Sequence, residues 1–157
     1  MNRKSRFLLL SLLVLTLDQW TKWLVELHVP FPSSLEVIPG FFHLSHLRNT
    51  GVAFGMLDSL GPGFSRWGLS ILALGAIGLV TWLFRGAPES STRLLVSLSL
   101  VLGGATGNLL DRVFQGSVTD FLGVYLGSYR WPDFNVADSA ISIGLVLLLI
   151  DTLRSPS

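Results

Sequence analysis

Four long apolar stretches divide the chain, with shorter polar and glycine-rich segments between them. Residues 7–27 (FLLLSLLVLTLDQWTKWLVEL) are interrupted by Asp18, Lys22 and Glu26, whereas residues 67–84 (WGLSILALGAIGLVTWLF) carry no charge. Residues 94–114 are clean until Asp111 and Arg112, and residues 134–153 are clean between Asp138 and Asp151. A helix needs about 20 mostly apolar residues to cross the hydrocarbon core of a bilayer. The four stretches take up 80 of the 157 residues. A soluble domain can bury one helix this apolar, but hardly four. The pattern predicts an all-α integral membrane protein: a four-transmembrane-helix bundle forming one membrane-embedded domain over 1–157. The basic start (Arg3, Lys4, Arg6) and apolar core 7–17 have the outline of a secretory signal peptide. Asp-Gln-Trp-Thr-Lys follows instead of a small-residue cleavage site, so an uncleaved first span is expected.

The segments between the spans differ in kind. Residues 28–66 hold Pro30, Pro32 and Pro39, with β-branched and aromatic residues around Phe41–Leu47, and predict short extended strands. Residues 115–133 hold Gly116, Gly123, Gly127 and Pro132, and predict a flexible capping loop. Lys and Arg set the orientation. With the N-terminus inside, residues 1–6, 85–93 and 154–157 carry six Lys or Arg over 19 residues, against three over the 58 residues of 28–66 and 115–133. An N-in, C-in topology is expected, with Trp67 and Trp82 near opposite interfaces.

Composition narrows the function. Charged residues are 13% of the chain, about half the roughly 25% usual in soluble proteins. Mean hydropathy is +0.59. These values exclude a disordered chain. The absence of cysteine excludes a disulfide-stapled domain, a zinc ribbon and thiol catalysis. A net charge of +1 gives no basic footprint for nucleic acid.

Ionisable groups inside a span are costly and call for a partner or a function. At about 1.5 Å per residue, Asp18 lies roughly 13 Å below the outer end of its span, Lys22 about 7 Å, Asp111 about 5 Å and Asp138 about 6 Å. Asp120 follows the third span by six residues, on the outer side. The inner half of the bundle is nearly empty of such groups. That layout suits a site at one membrane surface rather than a conduction path, and it weighs against a small transporter or proton-relay subunit built on Asp18, Asp111 and Asp138. Asp18 and Lys22 share a helix face and can pair. Asn108 shares a face with Asp111 and Arg112, and Asn135 with Asp138. Gly103 and Gly107 form a GxxxG that permits close helix packing.

The three histidines, His28, His43 and His46, lie in the first outer segment, with no G-x-S-x-G and no HExxH. A serine protease or zinc site is not supported, no metal or cofactor is expected, and His43 and His46 are expected to face water. Carboxylates remain. Two aspartates held close cannot both ionise, so one takes a proton from water while its protonated partner hydrogen-bonds a scissile carbonyl. The candidates are Asp18, Asp111, Asp120 and Asp138. Lys22 beside Asp18, and Arg112 and Asn108 beside Asp111, suggest structural roles for those two. Asp120 and Asp138 have no basic partner at helical spacing. They could equally be a solvated loop residue and a satisfied helix-end carboxylate.

At these residues the chain resembles the lipoprotein signal peptidases, or signal peptidase II. Five blocks match in order: Asp18-Gln-Trp-Thr-Lys22, Asn49-Thr-Gly51-Val-Ala53-Phe54, Gly103-Gly-Ala-Thr-Gly107-Asn108-Leu-Leu-Asp111-Arg112, Gly116-Ser-Val118-Thr-Asp120-Phe121 and Pro132-Asp-Phe134-Asn135-Val-Ala137-Asp138-Ser-Ala-Ile141. Together they reach across 124 of the 157 residues. Trp131 departs slightly, since Phe is common there. The resemblance implies a bacterial inner-membrane aspartic endopeptidase with a small extracytoplasmic β-sheet cradle from 28–66 and a flexible segment near 120–130. It implies a catalytic pair at Asp120 and Asp138 on the outer face, and peptide-contacting or dyad-orienting positions at Asn49, Asn108, Arg112 and Asn135. Asp18, Lys22 and Asp111 are expected as structural support. The implied substrate is a diacylglyceryl-modified prolipoprotein, cut just before its lipidated cysteine. The implied inhibitor is globomycin. Membrane lipid is the other expected partner, and one chain is expected to hold the whole site as a monomer. A GxGD-type intramembrane protease is a rival without its motif here. A non-enzymatic partner-binding bundle rests only on the Gly-rich face.

Overall fold

The structure, a computed structural model, describes residues 3–51 and 62–154, with side chains throughout except at 62–65. The apolar stretches become four helices: α1 (Arg3–His28), α2 (Pro62–Gly86), α3 (Thr92–Gln115) and α4 (Val136–Arg154). Each is long and apolar enough to cross a membrane. The helices overrun the apolar stretches at most ends because backbone hydrogen bonding continues through residues such as Arg3, Lys4 and Arg85 that hydropathy does not mark.

Helix α3 is the centre of the bundle. In its most apolar window 61% of residues are buried, against 11% in α2. Small residues allow this. A Cβ at Gly103 would sit 2.6 Å from the Ser11 carbonyl of α1, and one at Gly104 2.5 Å from the Ala137 carbonyl of α4. At Gly107 it would run into the Asp18 carboxylate. The GxxxG therefore seats α1, and Gly104 with Gly144 seats α4. Phe84, Ala87, Leu95 and Leu98 form a small apolar core toward the α2–α3 turn. Helix α3 stops at Gly116, whose φ of 79° and N–H to the Arg112 carbonyl (3.1 Å) make a left-handed C-cap.

Two strands from each outer segment build one antiparallel sheet in the order β1 (Ser33–Ile38), β2 (Phe42–Asn49), β3 (Val118–Leu126), β4 (Tyr129–Phe134). This corrects two expectations. The protein is mostly helical but not all-α. The expected cradle from 28–66 supplies only half of the sheet, and the expected flexible loop at 115–133 supplies the other half as a hairpin. The physical reason lies in Val118, Thr119, Phe121, Val124 and Tyr125, residues that suit a pleated, half-buried surface. Gly127 (φ 65°) lets the chain reverse in the two residues between Leu126 and Tyr129. Pro132 is tolerated because β4 is an edge strand.

Register decides what each face of β2 and β3 meets. Arg48 pairs with Thr119, and both turn to Glu26 at the end of α1, at 3.3 and 2.7 Å from its Oε1. The alternate residues, Asn49 and Asp120, face the other way. His46 does not face water as expected. It is 5% exposed, with Nδ1 2.7 Å from the Val29 carbonyl and its ring edge-on to Phe31. Its neighbour His43 is 3.7 Å from Glu36. Val52, Ala53 and Phe54 of the second motif block lie outside the described residues.

Candidate active site

Asn135 stands just before helix α4, and Asp138, three residues later, lies in the helix's first turn. The Asn135 side-chain oxygen accepts the Asp138 N–H (2.9 Å), while Asp138 Oδ2 accepts the Asn135 N–H (3.3 Å). This reciprocal capping box satisfies two of the N–H groups that a helix start leaves free. It also fixes the Asp138 carboxylate at the positive end of α4, where negative charge is favoured. Asn108 Nδ2 of α3 donates to the other oxygen, Oδ1 (2.8 Å).

Asp120 reaches the same place from the sheet. It pairs in register with Leu47, so Asn49, two residues further along β2, is its diagonal neighbour on the same face. Asn49 Nδ2 donates to Asp120 Oδ2 (2.8 Å), and the Asn49 oxygen is held by the Gly51 N–H (2.7 Å). Asn135 Nδ2 donates to Asp120 Oδ1 (2.8 Å). One asparagine therefore caps α4, binds Asp138 through its backbone and carbonyl, and binds Asp120 through its amide. Asn135 is fully buried and Asp120 is 3% exposed. Burial pushes the Asp120 carboxyl up from 3.8 to about 6; the nearby charge of Asp138 adds to this, and the amides of Asn49 and Asn135 and the charge of Lys22 oppose it.

Beneath this pair lies an ionic cluster. Lys22 Nζ is 2.7 Å from Asp18 Oδ2, 2.7 Å from Asp111 Oδ2 and 3.0 Å from Asn108 Oδ1. Asp111 is thus partnered by α1, not by the Arg112 beside it in sequence. Gln19 joins by donating to Asp111 Oδ1 (2.8 Å), and Asp18 Oδ1 accepts the Ala137 N–H (2.9 Å). Sequence reasoning missed Gln19, although it lies inside the first motif block. It also missed the Ser45 hydroxyl donating to Asp133 (2.9 Å), which ties β2 to β4 across the sheet.

Asp138 borders two clefts. One, of about 470 Å³, runs between α2, α3 and α4 and is lined by Leu72, Ala76, Val101 and Leu145 below and by Asn108, Arg112 and Asp138 above. Arg112 Nε has no hydrogen-bond partner among the described residues. The other, of about 510 Å³, lies between β4 and α4 and includes Asn49, Trp131 and Ser142. Among the described residues, no group of three or more His, Asp or Glu side chains is placed to hold a metal ion. The arrangement supplies one carboxyl that retains its proton readily, one carboxylate at a helix N-terminus, and an amphipathic cleft beside them. That set can activate water against an amide.

A family model described as "Signal peptidase (SPase) II" matches residues 10–154. Curated proteins named "Lipoprotein signal peptidase" are similar over nearly the whole chain. That of Solibacter usitatus is 46% identical over 142 residues, covering 90% of this chain and 87% of the relative. That of Syntrophus aciditrophicus is 44% identical over 148 residues, covering 94% and 92%. Two solved structures, each described as a bacterial membrane enzyme studied by the in meso method, superpose with TM-scores of 0.85 and 0.83 at 30% and 31% identity. They cover 97% and 96% of this chain, and 95% and 88% of their own.

Proposed function

The chain belongs to the signal peptidase II family and removes signal peptides from prolipoproteins; we propose that it does so as an aspartic endopeptidase whose acids are Asp120 and Asp138. The observation that carries this is Asn135, which holds both carboxylates at once. In the reaction proposed, Asp138 carries the charge of the pair and takes a proton from water. The protonated Asp120 hydrogen-bonds the scissile carbonyl as its oxygen gains negative charge. The water oxygen bonds to the carbonyl carbon; as the tetrahedral adduct collapses the C–N bond breaks, the amine leaves with the proton that Asp138 took from water, and the signal peptide departs with a new carboxylate. Neither a metal nor a covalent intermediate is required.

The remaining residues take supporting parts in this reading. Asn108 and Asn135 orient Asp138, and Asn49 orients Asp120. Arg112, with its free Nε at the top of the apolar cleft, binds a backbone carbonyl of the peptide. The cleft between α2, α3 and α4 takes apolar substrate surface, and the diacylglyceryl-modified cysteine lies just beyond the cut. Asp18, Lys22 and Asp111 support the site from below. The enzyme is a multi-pass protein of the bacterial inner membrane, read as N-in and C-in, with its site at the outer face and one chain of 1–157 acting as a monomer. Globomycin is the inhibitor this reading names.

Incubating the purified protein with a diacylated prolipoprotein and identifying the products by mass spectrometry tests the proposal. The expected result is a signal peptide ending immediately before the modified cysteine, released equally well in EDTA or after serine-directed reagents. Inhibition by a chelator that zinc reverses would point to a metal enzyme instead.

A further inference from the structure

An asparagine amide fits its site almost equally well in two orientations, and its partners select between them. At Asn108 the selection matters, because the group turned toward Asp138 is either a donor or a carbonyl oxygen that repels a carboxylate. Two donors reach Asn108 Oδ1: Lys22 Nζ at 3.0 Å and Asn135 Nδ2 at 3.3 Å. The Asn135 amide is shared with Asp120 Oδ1 (2.8 Å) and the Thr119 carbonyl (3.3 Å), three acceptors for two hydrogens. The Lys22 ammonium is a donor only. It is held at 2.7 Å from both Asp18 and Asp111, with its side chain 3% exposed.

The same pair reaches α4 by a second route. Asp18 Oδ1 accepts the N–H of Ala137, the residue before Asp138. Ala137 is fully buried, so that N–H has no access to water in place of this carboxylate.

We propose that Lys22 and Asp18 are positioning residues for the reaction rather than a packing ion pair alone: Lys22 fixes the Asn108 amide so that it donates to Asp138, and Asp18 holds the first turn of α4 in place. The proposal rests on the reading of Asp138 as one of the two reacting acids.

The test works in an Asp111→Asn background, because removing Lys22 alone leaves two aspartates unpaired. Asp111→Asn retains both partners of the Lys22–Asn108 bond. Lys22→Met/Asp111→Asn breaks it while keeping the cluster's net charge at that of the wild type. Lys22→Gln/Asp111→Asn loses the ammonium but keeps an N–H donor. With diacylated prolipoprotein, the kcat of folded Asp111→Asn sets the reference for the two double variants. The Met double variant should lose at least tenfold in kcat with KM within threefold, and the Gln double variant should recover most of that loss. Thermal melts report folding. If the Met variant does not fold, the Gln variant decides alone: kcat near that of Asp111→Asn supports the role, and a tenfold loss in folded protein overturns it. Equal kcat in Asp111→Asn and the Met double variant overturns the positioning role and leaves the paired-acid reading standing. A wild-type protein that leaves the prolipoprotein uncut overturns that reading and this role with it.

Discussion

Asp120 stands in mid-strand and faces Asn49, whose oxygen is tied to a backbone N–H at Gly51. Asp138 stands in the first turn of a helix and faces Asn108, whose oxygen is tied to the ammonium of Lys22. Each carboxylate thus meets an amide with a fixed direction, but the fixing groups differ. On the sheet side the amide belongs to an exposed residue and is held by loop backbone. On the helix side it is held by ions buried between α1 and α3. Asp120 is desolvated in mid-strand and Asp138 stands at a helix N-terminus; in the mechanism proposed, this difference separates their tasks.

Short of removing an acid, the largest effect is expected where the two sides meet. Asn135→Ala removes the cap of α4, a loss of about 1 kcal/mol, and also the amide on Asp120. Cleavage of diacylated prolipoprotein should fall about 100-fold, with a lower melting temperature. Activity near wild type would mean that the two acids do not depend on a shared partner.

A titration should separate the two sides. Asp120 should lose its proton near pH 6, followed as the carboxyl band that Asp120→Asn deletes from the infrared difference spectrum. Asp138→Asn removes a like charge and should lower that midpoint; Asn49→Ala removes a donor to the carboxylate and should raise it. The folded state holds this proton more tightly than the unfolded chain, so Asp120's contribution is full below about pH 3.8 and is lost as pH rises through about 6. The loss amounts to about 3 kcal/mol. Its mark would be a melting temperature difference between wild type and Asp120→Asn that changes across this window.

The smallest effect is expected at the Ser45 hydroxyl, which ties β2 to β4. Ser45→Ala deletes the bond to Asp133 and the hydroxyl contact with Ser34, each worth about 1 kcal/mol, and should leave turnover within about threefold. A large loss of kcat there would show the sheet side to be as sensitive as the helix side.

The sequence carried the bundle more fully than the site. Apolar runs mark membrane spans because lipid leaves a helix little alternative, and the GxxxG of α3 announced a close approach without naming Ser11 and Asp18 as what approaches. The sheet was half legible. The β-branched residues of 118–125 were visible, but glycines at 116, 123 and 127 drew attention to flexibility, and no local pattern discloses that Arg48 pairs with Thr119 across 71 positions. At the site, Asp18 with Lys22 and Asn135 with Asp138 are helical-spacing pairs and could be read directly. Asn49 with Asp120, Lys22 with Asn108 and Asp111 with Gln19 join different elements, and only the fold brings them together.

The central claim is tested most directly by single-turnover cleavage of a diacylated prolipoprotein by purified, folded Asp120→Asn and Asp138→Asn beside wild type. The account predicts that each substitution alone reduces cleavage by at least about 1,000-fold, because the two acids act as a unit, with binding of the uncut substrate retained. Substantial processing by either variant would contradict it.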